Sequence, residues 1–207
     1  MDYAGDMTES AEERRLARKR RRHARAREEL VDAARTILTR DGVKGFTVKA
    51  VAAEADVSKP AFYYYFDSRE HLIAELADRV LAREAAALVE AAYRAESPPQ
   101  AAGEVLRTRV RFYTEDLEAF RVVYLWPLVI GTPDGFSEQV VEPRRQQVHA
   151  VLAQRLRDAP GAPDADAMAS VVLATATGLL TSDHPPADRM RLARLAADTL
   201  ERALAHA

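Results

Sequence analysis

Between Thr47 and Phe66 the chain carries two very short helical patterns separated only by Asp56-Val57-Ser58. Helices of fewer than about 12 residues are marginal in water on their own, so both must lean on a longer neighbour. That neighbour lies just upstream, where Ala26, Leu30, Ala33, Ala34, Ile37 and Leu38 recur at three-and-four spacing along one apolar stripe. The stripe stops at Asp41-Gly42, with Gly42 placed for a left-handed C-terminal position. Thr47 is a good N-cap for the second helix, in which Val48, Val51, Ala52 and Ala55 line one face. Asp56 falls in the tight turn, where it tolerates a left-handed backbone less easily than glycine but better than most residues. Ser58 caps a third helix, Pro60 sits in its first turn, and Phe62 and Phe66 face inward one turn apart. Ser68 caps a fourth helix, carried forward by Glu70, Leu72, Ile73, Leu76 and Val80. This is the layout of a helix-turn-helix.

The fourth pattern runs without a breaker to about Ala95 and ends at Ser97-Pro98-Pro99. At about 1.5 Å per residue it spans some 40 Å, long enough to belong to two modules. Further helices are expected over about 100–117, 119–130, 137–158, 164–182 and 187–205. Pro/Gly stretches separate them, including Gly131-Thr132-Pro133-Asp134-Gly135 and Ala159-Pro160-Gly161-Ala162-Pro163. Pro143 must start or kink the helix that contains it. No strand-period segment or repeat stands out, so the expected class is all-α. Residues 1–24 read as a basic arm, partly disordered or a helical extension, with Met1 to Ser10 polar and aperiodic. Residues 25–70 read as the helix-turn-helix module and 71–207 as a second helical domain.

Charge is distributed unevenly. Arg14 to Arg69 holds 15 Lys/Arg against 7 Asp/Glu, whereas the chain from His71 onward holds 15 against 19. One positive end on an otherwise acidic chain suits a single module that meets a polyanion. The densest part is Arg14, Arg15, Arg18, Lys19, Arg20, Arg21, Arg22, Arg25 and Arg27, with no acidic residue among them. Such a run is either a solvated tail or a set of phosphate contacts.

Several classes are excluded. The chain has no cysteine, which removes disulfides, thiolate metal sites and a cysteine nucleophile together. No HExxH, Gly-rich phosphate loop or nucleophile elbow is present, so an enzyme is disfavoured. His184, before Pro185-Pro186, reads as a turn residue rather than a base. No metal and no cofactor are expected. Neither a membrane span nor a secretory h-region is visible, so a cytoplasmic protein is expected.

On the third helix Phe62 and Phe66 account for packing, which leaves Lys59, Tyr63 and Tyr64 with no core to fill. Tyrosine hydroxyls donate to phosphate oxygens, and their rings meet thymine methyls in the major groove. Phe46-Thr47-Val48-Lys49, Val51-Ala52, Ala55-Asp56-Val57-Ser58, Lys59-Pro60-Ala61-Phe62-Tyr63-Tyr64-Tyr65-Phe66 and Ser68-Arg69-Glu70-His71-Leu72 resemble the signature of the tetracycline-repressor (TetR) family. The motif covers about a quarter of the chain and fixes residue types across consecutive elements. Two positions depart from it: Asp56 where the family usually has glycine, and Arg69 where it usually has lysine. The resemblance implies a repressor that binds double-stranded DNA at a pseudo-palindromic operator, with the helix after Ser58 in the major groove. It places Lys49, Lys59, Pro60, Ala61 and Tyr64 near base edges, and Thr47, Tyr63, Tyr65 and Arg69 on phosphates. A nonspecific nucleic-acid-binding protein driven by the arginine-rich arm is the competing reading.

The resemblance also implies that the second domain dimerises the chain and binds an unknown small-molecule effector. Tyr93, Phe112, Tyr113, Tyr124, Trp126 and Met168 supply pocket-forming surface, as does Phe136, while Arg109, His149 and Thr175 offer polar orientation. Arg121 is a further candidate. Trp126-Pro127 suggests a kink that lines a cavity. For a homodimer interface the candidates are Ala169, Val172, Leu173, Ala176 and Leu180 with Ala174, Thr177 and Gly178 nearby, and Leu192, Leu195, Ala196 and Leu200 on the last helix.

Overall fold

The computed structural model describes residues 11–159 and 164–205, and its contacts divide the chain after Leu72. The polar stretch of residues 1–10 and the Pro160–Pro163 part of the second loop lie outside the described residues. Among those that are described the secondary structure is entirely helical.

The N-terminal unit consists of α1 (Ala11–Gly45), α2 (Val48–Glu54), α3 (Lys59–Tyr65) and the first residues of α4 (Arg69–Arg94). The basic segment from Arg14 to Arg27 is part of α1, which begins at Ala11. The long helix of α1 is broken at Gly42, where φ is +67°, as its sequence suggests, and a short helical turn follows to Gly45. Its stripe of Leu30, Ala33, Ala34, Ile37 and Leu38 is buried and meets Phe46, Val51, Ala52, Phe62, Phe66 and Leu72 in one small core. Thr47 and Ser58 cap α2 and α3 by accepting from the Ala50 and Ala61 amides at 3.1 and 3.2 Å. Asp56 has φ +53°, the left-handed conformation that the turn between α2 and α3 demands. Arg40 ties the end of α1 to α2 through Glu54 at 3.0 Å.

α4 passes through the division at Leu72 and runs on to Arg94, about 39 Å in all. Its last turn is satisfied by Arg155, which donates to the Ala92 and Ala95 carbonyls. The C-terminal unit adds α5 (Pro98–Glu115), α6 (Leu117–Phe120), α7 (Trp126–Ile130), α8 (Glu142–Leu156), α9 (Ala165–Thr181) and α10 (Pro186–Ala205). α5 is its central element and packs against α8, α9 and α10, burying Ala101, Ala102, Val105, Leu106, Val110 and Tyr113. The Glu201 carboxylate, which pairs with Arg107, lies against Gly103.

At the two prolines where a kink or helix start is expected, the chain stays helical but changes its hydrogen-bond register. Before each of Pro127 and Pro143 the chain makes a π-helical turn, Arg121–Leu125 and Ser137–Val141. A proline ring clashes with the carbonyl four residues back and has no N–H to offer it. Widening the preceding turn moves that carbonyl, and the Trp126 and Glu142 amides donate instead to Arg121 and Ser137, five residues back.

The core of this unit holds a buried charge pair. Arg109 Nε donates to Glu84 at 2.7 Å, and its other nitrogens donate to the Leu173 carbonyl, Thr177 and Tyr124. The Tyr113 hydroxyl donates to the second Glu84 oxygen at 2.6 Å. Burial alone pushes the Arg109 guanidinium down, but Glu84, Tyr124 and Tyr113 together outweigh it and leave the pKa above its ordinary value. Burial and then Glu84 push the Tyr113 hydroxyl far above the usual phenol range, so it remains a donor. Burial raises Tyr124 as well.

Two stability predictions follow from these geometries. Asp56→Gly is expected to stabilise the protein by about 0.5 kcal/mol, because left-handed strain of about 1–2 kcal/mol exceeds the roughly 0.5–1 kcal/mol that glycine's extra freedom costs. Asp56→Val should destabilise it, and urea unfolding of the three proteins checks the order. Arg109→Met leaves Glu84 buried without its cation and should cost about 3–5 kcal/mol. Adding Glu84→Gln, which still accepts from Tyr113, should recover much of that loss in the same measurement.

Candidate nucleic-acid interface

α3 is held by one side and presents the other. Phe62 and Phe66 are buried, their centroids 6.0 Å apart, while Lys59, Pro60, Tyr63 and Tyr64 are exposed and Ala61 is half-buried. The Tyr63 ring stands edge-on to Phe62 at 5.5 Å with the Lys59 ammonium 6.0 Å from its centroid. Tyr64, 63% exposed, is the most exposed aromatic ring of the helix. The Tyr64 and Tyr65 rings pack edge-to-face at 5.0 Å. On α2, Lys49 is exposed, and Thr47 is exposed with its oxygen engaged as the cap. Lys49, Lys59, Tyr63 and Tyr64 thus form an open polar and aromatic surface on two adjoining short helices.

Arg69 is placed differently from a free phosphate ligand. Its Nε donates to Glu70 at 3.0 Å and its Nη1 reaches the Phe46 carbonyl at 3.5 Å, with the side chain 41% exposed. Partial burial would raise the Glu70 carboxyl, but its own amide, Ser68 and Arg69 together hold it below the usual range. Arg69 therefore ties the start of α4 to the end of α1. Two residues of this surface were not among the site residues expected from sequence. The His23 ring lies 5.4 Å from Tyr64 and 4.8 Å from Tyr65, and Arg27 donates to the Tyr65 carbonyl while lying 4.4 Å from the Phe66 ring. Both continue the stripe of Leu30 and Ala34 toward the N-terminus, at i−7 and i−3 from Leu30, and that spacing was visible in the sequence.

In the C-terminal unit a cavity of about 70 Å³ is lined by Leu81, Ala85, Leu88, Val148 and Leu173 with Glu84, Arg109 and Arg144. Of the residues named from sequence for an effector pocket, only Arg109 lines it. Phe112, Tyr113 and Tyr124 form an aromatic cluster with Phe120 instead, with centroids 5.0–5.2 Å apart. Trp126 is buried, Tyr93 is exposed, and Phe136 and Met168 are half-buried. His149 bonds to the Asp166 carbonyl and Ser170, and Thr175 to the Val171 carbonyl, both satisfied locally. Arg121 is exposed. No cluster of His, Cys, Asp or Glu that would hold a metal occurs among the described residues, and no helix there is long and apolar enough to cross a membrane.

The stripe assigned to a dimer interface also needs correction. Ala169, Val172, Leu173, Ala176 and Leu180 are buried within the chain's own unit, and Thr177 is bonded to Arg109. The outward face of α9 is Ser170, Val171, Ala174 and Gly178, one position removed. On α10, Ala193, Ala197 and Leu204 are buried, Leu192, Ala196 and Leu200 are half-buried, and Leu195 is 59% exposed.

The comparisons with known proteins agree with this arrangement. Residues 30–76 match the family described as bacterial regulatory proteins, tetR family. A segment is 32% identical over 90 residues to an HTH-type transcriptional regulator, itself uncharacterised, from the dhlA 5′ region of Xanthobacter autotrophicus, covering 44% of this chain and 42% of that one. Among solved structures, a tetR-family regulatory protein from Rhodococcus RHA1 superposes with a TM-score of 0.64 at 18% identity, covering 88% of this chain and 98% of that one. The regulator PfmR from Thermus thermophilus gives 0.59 at 20%, covering 86% and 95%. The multidrug binding protein EbrR, solved with imidazole, gives 0.59 at 26% identity, covering 84% and 93%. The helix-turn-helix thus matches the tetR-family model in sequence over residues 30–76, and the helical architecture matches that of solved tetR-family regulators.

Proposed function

We propose that the protein is a homodimeric, sequence-specific DNA-binding transcription regulator, a repressor whose hold on a pseudo-palindromic operator is modulated by a small-molecule effector. The observation that carries this reading is α3 itself, whose buried Phe62 and Phe66 leave Lys59, Tyr63 and Tyr64 standing free. A helix anchored in this way fits the major groove, where lysine meets guanine acceptors and tyrosine meets thymine methyls or phosphates. Lys49, Lys59, Pro60, Ala61 and Tyr64 are assigned to base edges, and Thr47, Tyr63 and Tyr65 to the backbone. Arg69 is assigned chiefly to holding α4 in place.

Dimerisation is assigned to the outward faces of α9 and α10. Ala174 and Gly178 permit close approach of helices, and Val171 and Leu195 supply exposed apolar surface. The effector is assigned to the α4–α5–α8–α9 cavity beside Arg109, in keeping with the small-molecule complex of the structurally similar EbrR. α4 is the covalent route from one unit to the other. Coupling through it is an energy difference of about 1–3 kcal/mol and must be reciprocal, so operator DNA changes effector affinity by the factor with which effector changes operator affinity.

Analytical ultracentrifugation at micromolar protein is expected to show a dimer. A stable monomer would contradict it, because two recognition helices must reach major grooves about 34 Å apart. Selection from a random duplex library should separate the side chains of α3. Tyr63→Phe is expected to weaken all duplexes alike with an unchanged consensus, since phosphate contacts carry no sequence information. Lys59→Ala and Tyr64→Ala should instead broaden the consensus at particular positions, and equal losses with one common consensus would overturn the assignment.

A further inference from the structure

The basic segment is a helical continuation of α1, and most of its cations share one face. At about 100° per residue, Arg14, Arg15, Arg18, Lys19, Arg21, Arg22 and Arg25 fall within an arc of about 160°. Leu16, Arg20, His23 and Arg27 fall outside it, and His23 and Arg27 lie on the line that continues into the buried Leu30 and Ala34. Most of the cations thus share one face, and the α3 contacts are made from the other.

The packing face fixes where the charged one begins. His23 touches the rings of Tyr64 and Tyr65, and Arg27 holds the Tyr65 carbonyl and the Phe66 ring, all at the C-terminal end of α3. On the charged face Arg25 pairs with Glu29. Arg14, Arg15, Arg18, Lys19, Arg21 and Arg22 are exposed and form no salt bridge among the described residues. Like charges on one helix face repel one another, and no salt bridge from a described residue offsets these six. A polyanion of matching length does.

We propose that this face of α1 is a second DNA-contacting surface, one that grips the phosphates of the duplex flanking the sequence read by α3. The proposal rests on the helix-turn-helix reading given above. Duplex DNA is the occupant because this face belongs to the same unit as α3, because its cations form no salt bridge among the described residues, and because its length suits a regular polyanion. From Arg14 to Arg25 the stripe is about 17 Å long, equal to about five base pairs at 3.4 Å each. Lysine and arginine contacts of this kind add affinity and salt dependence without sequence information. The arm thus lengthens the footprint but not the consensus.

The test uses the full-length protein and the duplex it selects from a random library, in two forms. One is the selected core alone, and the other carries about six arbitrary base pairs on each side, enough to outlast the stripe. Three proteins are compared by fluorescence anisotropy across a salt series: the parent, R14Q/R15Q/R18Q/K19Q/R21Q/R22Q, and the same set with each arginine changed to lysine. Glutamine keeps helix propensity close to that of arginine, and circular dichroism verifies that α1 is retained. The parent is expected to bind the long duplex about tenfold more tightly, with log K against log salt steeper by about 0.9 for each phosphate gained. The glutamine variant should bind both lengths alike with the shallower slope, and the lysine variant should behave as the parent. A parent that binds both lengths with one affinity and one slope overturns the proposal and leaves the helix-turn-helix reading standing. A glutamine variant that weakens equally on both lengths does the same, since its cations then act elsewhere. If the parent binds the selected core no better than a scrambled duplex, the helix-turn-helix reading itself fails and the proposal falls with it.

Discussion

Two phenyl rings set into the core of the N-terminal unit make its exposed surface usable. α3 is seven residues long, far below the length at which a helix stands alone in water. Fully burying Phe62 and Phe66 is worth about 1.5–3 kcal/mol each, and the Ser58 cap and the left-handed turn at Asp56 set where the helix begins. With one side fixed in this way, Lys59, Tyr63 and Tyr64 are presented at defined positions on the other without needing an intramolecular partner. A longer helix would hold its shape unaided but would also bury more of its surface against neighbours.

The C-terminal unit resolves a different conflict. Its central helix, α5, is surrounded by α8, α9 and α10, yet it carries Arg109 inward. Desolvating a guanidinium costs several kcal/mol, which only a well-placed anion offsets. Glu84 from α4 supplies the charge, and Thr177, Tyr124 and the Leu173 carbonyl occupy the remaining donors. Tyr113 then satisfies the second carboxylate oxygen. The cluster joins α4, α5 and α9 and forms one wall of the cavity, so a molecule entering there meets a polar network already satisfied from within. Such a guest gains more from the apolar wall of Leu81, Ala85, Leu88 and Leu173 than from competing for Arg109.

The helix-turn-helix could be read from sequence because each of its determinants is local. Gly42, Thr47, Asp56, Ser58 and Pro60 act within a few residues of themselves, and the structure places each in the backbone role its chemistry dictates. The C-terminal unit was less legible because its determinants are long-range. Nothing near Glu84 announces that Arg109, 25 residues away, will pair with it. The aromatic residues suggested a pocket, but aromatic composition does not distinguish a cavity lining from a packed cluster, and Phe112, Tyr113, Phe120 and Tyr124 form the latter. α9 misled for a related reason. Its small and large apolar residues occupy more than one face, so periodicity shows that a face is buried but not against which chain. Pro127 and Pro143 were read correctly as disruptions, but the π turns that accommodate them depend on packing that the sequence does not state.

The distribution of unpaired charge in the N-terminal unit separates two tasks that one helix usually shares. Several cations near α3 are already committed: Arg27 to Tyr65 and Phe66, Arg69 to Glu70 and Phe46, Arg40 to Asp41 and Glu54. On α2 and α3 this leaves Lys49 and Lys59, which form no salt bridge among the described residues. Two ammonium groups are a small electrostatic hold on a duplex, where each neutralised phosphate contributes a slope of only about 0.9. They are well suited to reading base edges, because discrimination needs donors that are not overwhelmed by nonspecific attraction. The exposed cations between Arg14 and Arg22 carry most of the free positive charge and present no aromatic or amide group to a base. On the proposed reading, affinity and sequence preference fall to different stretches of the same unit, the first to the exposed face of α1 and the second to α2 and α3.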